Sequence, residues 1–280
     1  MPPSPRQSLH GLSVENSWFA TRPLFWTYQH LDLLGIHFQH FDGPLHAPQP
    51  RGDDAIELDA VEVVFHVMRF TMIPETADHL KSAFYLLSNL ASPLRLKPKP
   101  FVPRFFYAGR PVHGTFCLAF HVTSPFPQMV IGCTYNKAFN RQRWRQCSPR
   151  SHPKIGKDHP VKRICKILLR KVIPKNWAED PYIVCLLLSL AQAQRIKQKG
   201  EMPKTFPVRL LMVADGDRSF AHVFQAEIDA RILKALDKPT LNLNGVTWPN
   251  VVHTKVALNP YLTFPDRIVA EMLGFYKEQM

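Results

Sequence analysis

Two runs decide the fold: Asp180-Pro181-Tyr182-Ile183-Val184-Cys185-Leu186-Leu187-Leu188 and Val208-Arg209-Leu210-Leu211-Met212-Val213. The first reads as a helix. Asp180 can cap free backbone amides, and Pro181 suits the first turn because it has no amide to leave unpaired. The helix extends to about Lys197, and Lys199-Gly200 closes it with positive charge near the negative end of the dipole. The second run reads as a strand. These are the most apolar runs in the chain, so the neighbouring segments are expected to pack onto them.

Residues 161–173, just upstream, form an amphipathic helix. Val161, Ile164, Cys165, Leu168 and Val172 fall at i, i+3, i+4, i+7 and i+11, and Pro174 stops it. Downstream, strands 207–214 and 220–226 flank Asp215-Gly216-Asp217-Arg218-Ser219, a hairpin signal. A short helix over 230–236 and a strand over 251–258 follow. Thr263-Phe264-Pro265-Asp266 resembles a capping box, with Asp in place of Glu, before a last helix. The order α-α-β-β-α-β-α predicts an α+β fold of mixed helices and short antiparallel strands, with a C-terminal domain over 158–280.

The first sixteen residues are polar and Pro-rich and read as disordered. Residues 17–140 read as a β/α region. It opens on an aromatic, His-rich stretch. Residues 56–73 read as extended, from their β-branched content and partial alternation. Pro74-Glu75 then opens a helix bearing Leu80, Phe84, Leu87 and Leu90, which Ser92-Pro93 ends. Strand-like runs over 112–122 and 129–135 are expected to pair antiparallel. Residues 141–157, basic and poor in apolar side chains, read as an exposed linker between the two parts.

The chain has 280 residues, 45% hydrophobic, enough to bury a sizeable core in one large domain or two small ones. Gly is scarce (12) and Pro abundant (26), which leaves few sites for phosphate-cradling turns and favours irregular connections. Lys and Arg number 35 against 22 Asp and Glu, a formal charge of +13, so the field attracts polyanions. The five cysteines, Cys117, Cys133, Cys147, Cys165 and Cys185, are odd in number and show no CxxC spacing, which suits reduced thiols. The N-terminus lacks the apolar core of a signal peptide, and no apolar run approaches the ~20 residues needed to cross a bilayer. The expectation is a soluble, intracellular protein, cytoplasmic or nuclear.

Trp177-Ala178-Glu179-Asp180-Pro181, the strand over 208–213, and Asn259-Pro260-Tyr261-Leu262-Thr263-Phe264-Pro265-Asp266 resemble a group of filamentous-fungal proteins. The resemblance covers residues 176–280. It implies a eukaryotic, non-secreted protein and brings no activity, cofactor or catalytic residue with it.

Four constellations carry side chains capable of chemistry. His30, His37, His40 and His46, with Asp32 and Asp42, carry metal-ligating side chains, but their spacing matches no closed zinc module and no cysteine lies near. Asp53, Asp54, Glu57, Asp59 and Glu62 hold paired carboxylates suited to acid–base work or Mg²⁺. The plainer reading is a solvated strand edge. Asp215, Asp217 and Glu227 loosely fit a metal-dependent nuclease, whose carboxylates would hold the ion, yet the expected Lys after Glu227 is absent. The fourth is the basic segment 141–175, with twelve Lys and Arg. Arg141, Arg143, Arg145, Lys162, Arg163, Lys166, Arg170 and Lys171 would neutralise phosphates, and Trp144 would stack on an unpaired base. The bland alternative is a solvated loop and the wet face of an ordinary helix. Nucleotide-binding, α/β-hydrolase, zincin and kinase motifs do not occur.

The favoured expectation is a non-enzymatic binding module that engages nucleic acid or an acidic protein through 141–175, with no metal and no cofactor. The alternative is a nuclease-like, metal-dependent enzyme.

Overall fold

The computed structural model describes residues 8–48, 59–72, 77–88, 94–124, 129–148, 159–198 and 200–277. In chain order these hold helices α1 (Leu9–Glu15) and α2 (Tyr28–Leu34), strand β1 (Phe38–Phe41), helices α3 (Ala60–Met72) and α4 (Ala77–Ser88), and strands β2 (Arg95–Leu96), β3 (Arg104–Tyr107), β4 (Arg110–Gly114), β5 (Cys117–Ser124) and β6 (Val130–Tyr135). Helices α5 (Asn136–Cys147), α6 (His159–Val172) and α7 (Pro181–Lys197) follow. Strands β7 (Thr205–Val213) and β8 (Phe220–Asp229), helix α8 (Ala230–Asp237), strand β9 (Val251–Ala257) and helix α9 (Phe264–Lys277) complete the α+β fold. One mixed sheet runs β1-β9-β8-β7-β6-β5-β2, and β3-β4 form a separate hairpin. The sheet takes strands from both halves of the chain, with β6 and β7 parallel at the join and β1 parallel to β9.

Side chains alternate across each strand, and here both faces are covered. From β7, Val208, Leu210 and Met212 enter the apolar cluster that holds α7, α8 and α2. Leu211 and Val213 enter the opposite cluster with α3, α4 and α9. A strand buried on both faces reads as a continuous apolar run, which is why 208–213 stands out in the sequence. α7 is buried nearly all round, from Pro181 to Gln194. It sits close on the sheet because β6 has Gly132, where an added Cβ would lie 2.8 Å from Leu190 Cδ1 and 2.9 Å from Leu210 Cδ1.

The start of α7 is doubly fixed. The Asp180 carboxylate accepts from the Tyr182 amide at 2.9 Å. It also accepts two bonds from the buried Arg143 guanidinium, at 2.6 and 2.7 Å, and Arg143 Nε donates to the Leu24 carbonyl at 2.8 Å. On the other face, buried Glu271 of α9 clamps the segment after β1. Its Oε2 accepts from the amides of Leu45 (3.0 Å) and His46 (3.3 Å), and its Oε1 from Thr254 (3.0 Å) and Gln225 (3.2 Å).

Several expectations are corrected. Residues 60–72, expected as strand, are helix α3: Val63, Val67 and Phe70 sit at i, i+4 and i+7 and are its buried face, and that spacing outweighs the β-branched content. Residues 9–15, expected to be disordered, form α1, capped by Ser8 and anchored by buried Leu9. Residues 141–147 are not linker but the last turns of α5, held by buried Phe139 and Arg143. The rest of that stretch, 149–157, lies outside the described residues. The run over 112–122 is two strands, because the chain leaves the β3-β4 hairpin at Gly114 and joins the main sheet at Cys117. The expected antiparallel pairing with 129–135 is made by the second of these strands, as β5-β6, and the α-α-β-β-α-β-α order appears as α6 to α9. Thr263 donates to the Pro260 carbonyl and accepts from Arg267, so its hydroxyl serves the loop ahead of α9.

Candidate functional site

On the α7 face, at the free edge of the sheet, three strands bring three imidazoles into line. His40 of β1 and His253 of β9 are direct register partners, and His222 comes from the start of β8. The short turn Trp177–Glu179, just before α7, covers them. Trp177 sets its edge against His222 with ring centroids 4.7 Å apart, and Glu179 reaches His40.

The result is one unbroken chain of hydrogen bonds. The Tyr28 hydroxyl donates to Glu179 Oε2. Glu179 Oε1 lies 3.0 Å from His40 Nε2, and His40 Nδ1 lies 2.8 Å from His253 Nδ1. His253 Nε2 is 2.9 Å from His222 Nδ1, and His222 Nε2 is 3.0 Å from Asp217 Oδ2. The other Asp217 oxygen accepts from the amides of Ser219 (2.9 Å) and Phe220 (3.1 Å) in the β7-β8 turn.

Counting donors sets out what a fully hydrogen-bonded row requires. Between the two carboxylates run four contacts, and each needs one proton. A neutral imidazole carries one N–H, so three rings supply three. For all four contacts to be hydrogen bonds with both carboxylates ionised, the row from Glu179 to Asp217 must hold one proton more than three neutral rings carry. Burial pushes His253 down to about 3, helped by its neighbours His222, His40 and Lys255. Burial also lowers His222, against the opposing pull of Asp217. These two rings are neutral and enclosed, whereas the His40 side chain is 35% exposed and faces Glu179, itself 30% exposed. The hydrogen bond from Tyr28 holds the Glu179 carboxyl below its ordinary range, with further help from His40. Burial, then Glu179, raises the Tyr28 hydroxyl, so it remains a donor. Beside the pair, Lys255 Nζ binds the exposed Asp42 carboxylate at 2.8 Å.

Such an array can move a proton. Shifting each hydrogen across its own contact would carry one proton from Glu179 to Asp217 with no ring leaving its place. Among the described residues, no three His, Cys, Asp or Glu side chains are grouped to hold a metal ion. The buried thiols are poor nucleophiles: burial pushes Cys133 up to about 12 and raises Cys117 and Cys185.

Of the histidine group read from the sequence, only His40 joins this array. His30 is buried and accepts from the Thr27 amide at 3.0 Å to cap α2. His37 is exposed, and His46 sits 3.4 Å from Glu271 on the other face. Asp32 lies exposed on α2, and Asp42 pairs with Lys255. Asp53, Asp54 and Glu57 lie outside the described residues. Asp59 accepts from the Val61 amide at the start of α3, and Glu62 accepts from Tyr85. Asp215 meets Tyr135 (3.1 Å) and Lys137 (3.4 Å), while Asp217 joins the histidines. Glu227 sits near the far end of β8, about 25 Å along the strand from the turn at a rise of ~3.3 Å per residue. The three nuclease-like carboxylates are therefore not brought together.

In the basic segment, Arg143 is withdrawn from any phosphate role, because its guanidinium is fully buried against Asp180. Trp144 and Arg145 are exposed on α5, and Arg141 is half-buried there. On α6, Arg163, Lys166, Arg170 and Lys171 are exposed and Lys162 is half-buried. Of the apolar stripe, only Cys165 and Leu169 are buried; Val161, Ile164, Ile167 and Leu168 face outward. His222 and His253 escaped the sequence reading because they lie 31 residues apart on separate strands. The signal they gave was an imidazole inside an apolar strand run, in Phe220-Ala221-His222-Val223-Phe224 and Val251-Val252-His253-Thr254.

No helix among the described residues is long and apolar enough to cross a membrane. Compared with known protein families and with curated proteins, the chain matches none.

Proposed function

We propose that this chain is an enzyme that works by proton transfer at the exposed Tyr28, Glu179 and His40 end, on an anionic substrate drawn by its +13 charge. The supporting observation is the surface pair of His40 and Glu179, joined through a hydrogen-bonded row to two buried imidazoles and Asp217. The reaction that asks least beyond two proton transfers is cleavage of a phosphodiester whose own neighbouring hydroxyl attacks, as in RNA. Glu179 takes the proton of the 2′-hydroxyl as that oxygen bonds to phosphorus. The 5′-oxygen leaves with the electron pair of the broken P–O bond and takes a proton from His40. Glu179 then returns its proton to His40 across their contact, and the pair is reset.

The test is cleavage of a fluorescent RNA oligonucleotide, its DNA counterpart and the same RNA with EDTA. The reading expects RNA to be cut, DNA to be spared and chelation to be without effect. It expects His40→Ala and Glu179→Gln to lose about 10²–10⁴-fold in rate, the usual worth of a positioned acid or base. DNA cut as fast as RNA, or activity abolished by EDTA, would favour a metal-dependent nuclease instead. No cleavage by the unaltered protein would sink it.

A second reading rests on α6, whose outward Ile164, Ile167 and Leu168 stand among exposed Arg163, Lys166, Arg170 and Lys171 and half-buried Lys162. Apolar side chains ringed by cations suit an acidic protein partner better than bare phosphate. Binding of polyglutamate and of a DNA and RNA panel, followed over a salt series, tests this. Loss of polyglutamate binding in Lys162→Glu/Lys166→Glu, at unchanged melting temperature, supports a protein partner. Flat, negligible binding at physiological salt rules the surface out.

A further inference from the structure

A second concave site lies on the same face of the sheet, between α1, α2, the β3-β4 hairpin and α8. It is a cavity of about 270 Å³ whose walls are almost wholly apolar. Phe19, Trp26, Phe105, Tyr107 and Trp248 supply its aromatic lining, and Arg22 stands among the residues that line it. Two polar groups there are unspent. The Arg22 guanidinium is exposed and has no carboxylate partner among the described residues; its charge instead falls on His113 and helps to lower that ring, after burial. Burial raises the Tyr107 hydroxyl, so it stays protonated, and it too has no hydrogen-bond partner among the described residues.

An apolar cavity with a few convergent polar groups is the usual form of a small-molecule site. The charge at Arg22 sets the sign of the ligand, because a guanidinium binds a carboxylate through paired N–H donors. The walls set the rest: aromatic faces offer area and shape but accept no charge. An apolar cavity of ~150 Å³ takes a benzene, so the volume here suits roughly ten non-hydrogen atoms.

We infer that this cavity binds a small apolar carboxylate, with the hydrocarbon or ring among Trp26, Phe105 and Trp248, the carboxylate on Arg22 and the Tyr107 hydroxyl as a second donor. The site lies apart from the histidine array and needs no catalysis to be observed. α2 is the element they share, with Tyr28 at its start and the cavity-lining Leu34 at its end.

The test is isothermal titration calorimetry of the full chain with octanoate and with octan-1-ol, which have equal chain length and differ in charge. Octanoate should bind about tenfold or more tightly than octan-1-ol, the ordinary worth of one charge-assisted contact. Arg22→Gln should remove that preference and leave the alcohol's affinity unchanged. Val112→Trp, at an exposed position on the rim, should block both ligands while leaving the melting temperature unchanged. Equal affinity for the two ligands, or octanoate binding that survives Val112→Trp, would overturn the assignment, as would no heat from octanoate at millimolar concentration.

Discussion

α6 and α7 are consecutive helices, and both carry enough leucine and isoleucine to belong in a core. Only α7 does. It lies between the sheet and the layer formed by α2, the β3-β4 hairpin and α8, so apolar side chains all round its circumference find partners. α6 meets the rest of the protein mainly through α5, buries Cys165 and Leu169, and leaves four apolar side chains outside. An apolar stripe reports that a helix has a face to hide; the layers around it decide whether that face is hidden.

The contrast can be broken at its strongest point first. Asp180→Ala removes the cap of α7 and strands the buried Arg143 charge, so it should cost about 3–5 kcal/mol, measured by urea unfolding. Leu190→Ala, deeper in α7 and against Gly132, should cost about 2–4 kcal/mol through the cavity it leaves. The histidine array gives a pH signature on the same side of the sheet. Folded His253 stays neutral down to about 3, whereas an unfolded histidine binds a proton below about 6.5. Its contribution is fully present above pH 6.5 and is lost as pH falls from there toward 3, on the order of 5 kcal/mol. His253→Phe should flatten that part of a stability–pH curve. Last, Leu168→Ala on α6 should change stability by no more than about 0.5 kcal/mol. A loss of 2 kcal/mol or more there would mean that the outward face of α6 is covered, and the contrast between the two helices would disappear.

How much the sequence revealed follows the range of the interactions. Short-range chemistry was legible: Asp180-Pro181 starts α7, Pro174 follows α6, and Asp215-Gly216-Asp217 turns β7 into β8. α3 misled because Val61, Val63, Val64, Phe65 and Val67 mimic alternation over a few residues, while the helical spacing of Val63, Val67 and Phe70 shows only over a longer window. Arg143 looked like one more cation in a basic run, since nothing local announces that Asp180 will face it in the interior. The candidate site was the least legible part. His40 and Asp217 were both singled out, each in the wrong company. Their link needs the β1-β9 and β8-β9 registers, and no spacing along the chain encodes those.

The pairing of His40 with His253 spans 213 residues. During synthesis the first ring must therefore wait for the second, roughly 10–40 s at ordinary elongation rates of ~5–20 residues per second. Through that interval β1 has no strand to lie against, and His40 has no buried imidazole behind it. A nascent chain can fold much of its interior, but the hydrogen-bonded row from Glu179 to Asp217 closes only when β9 arrives.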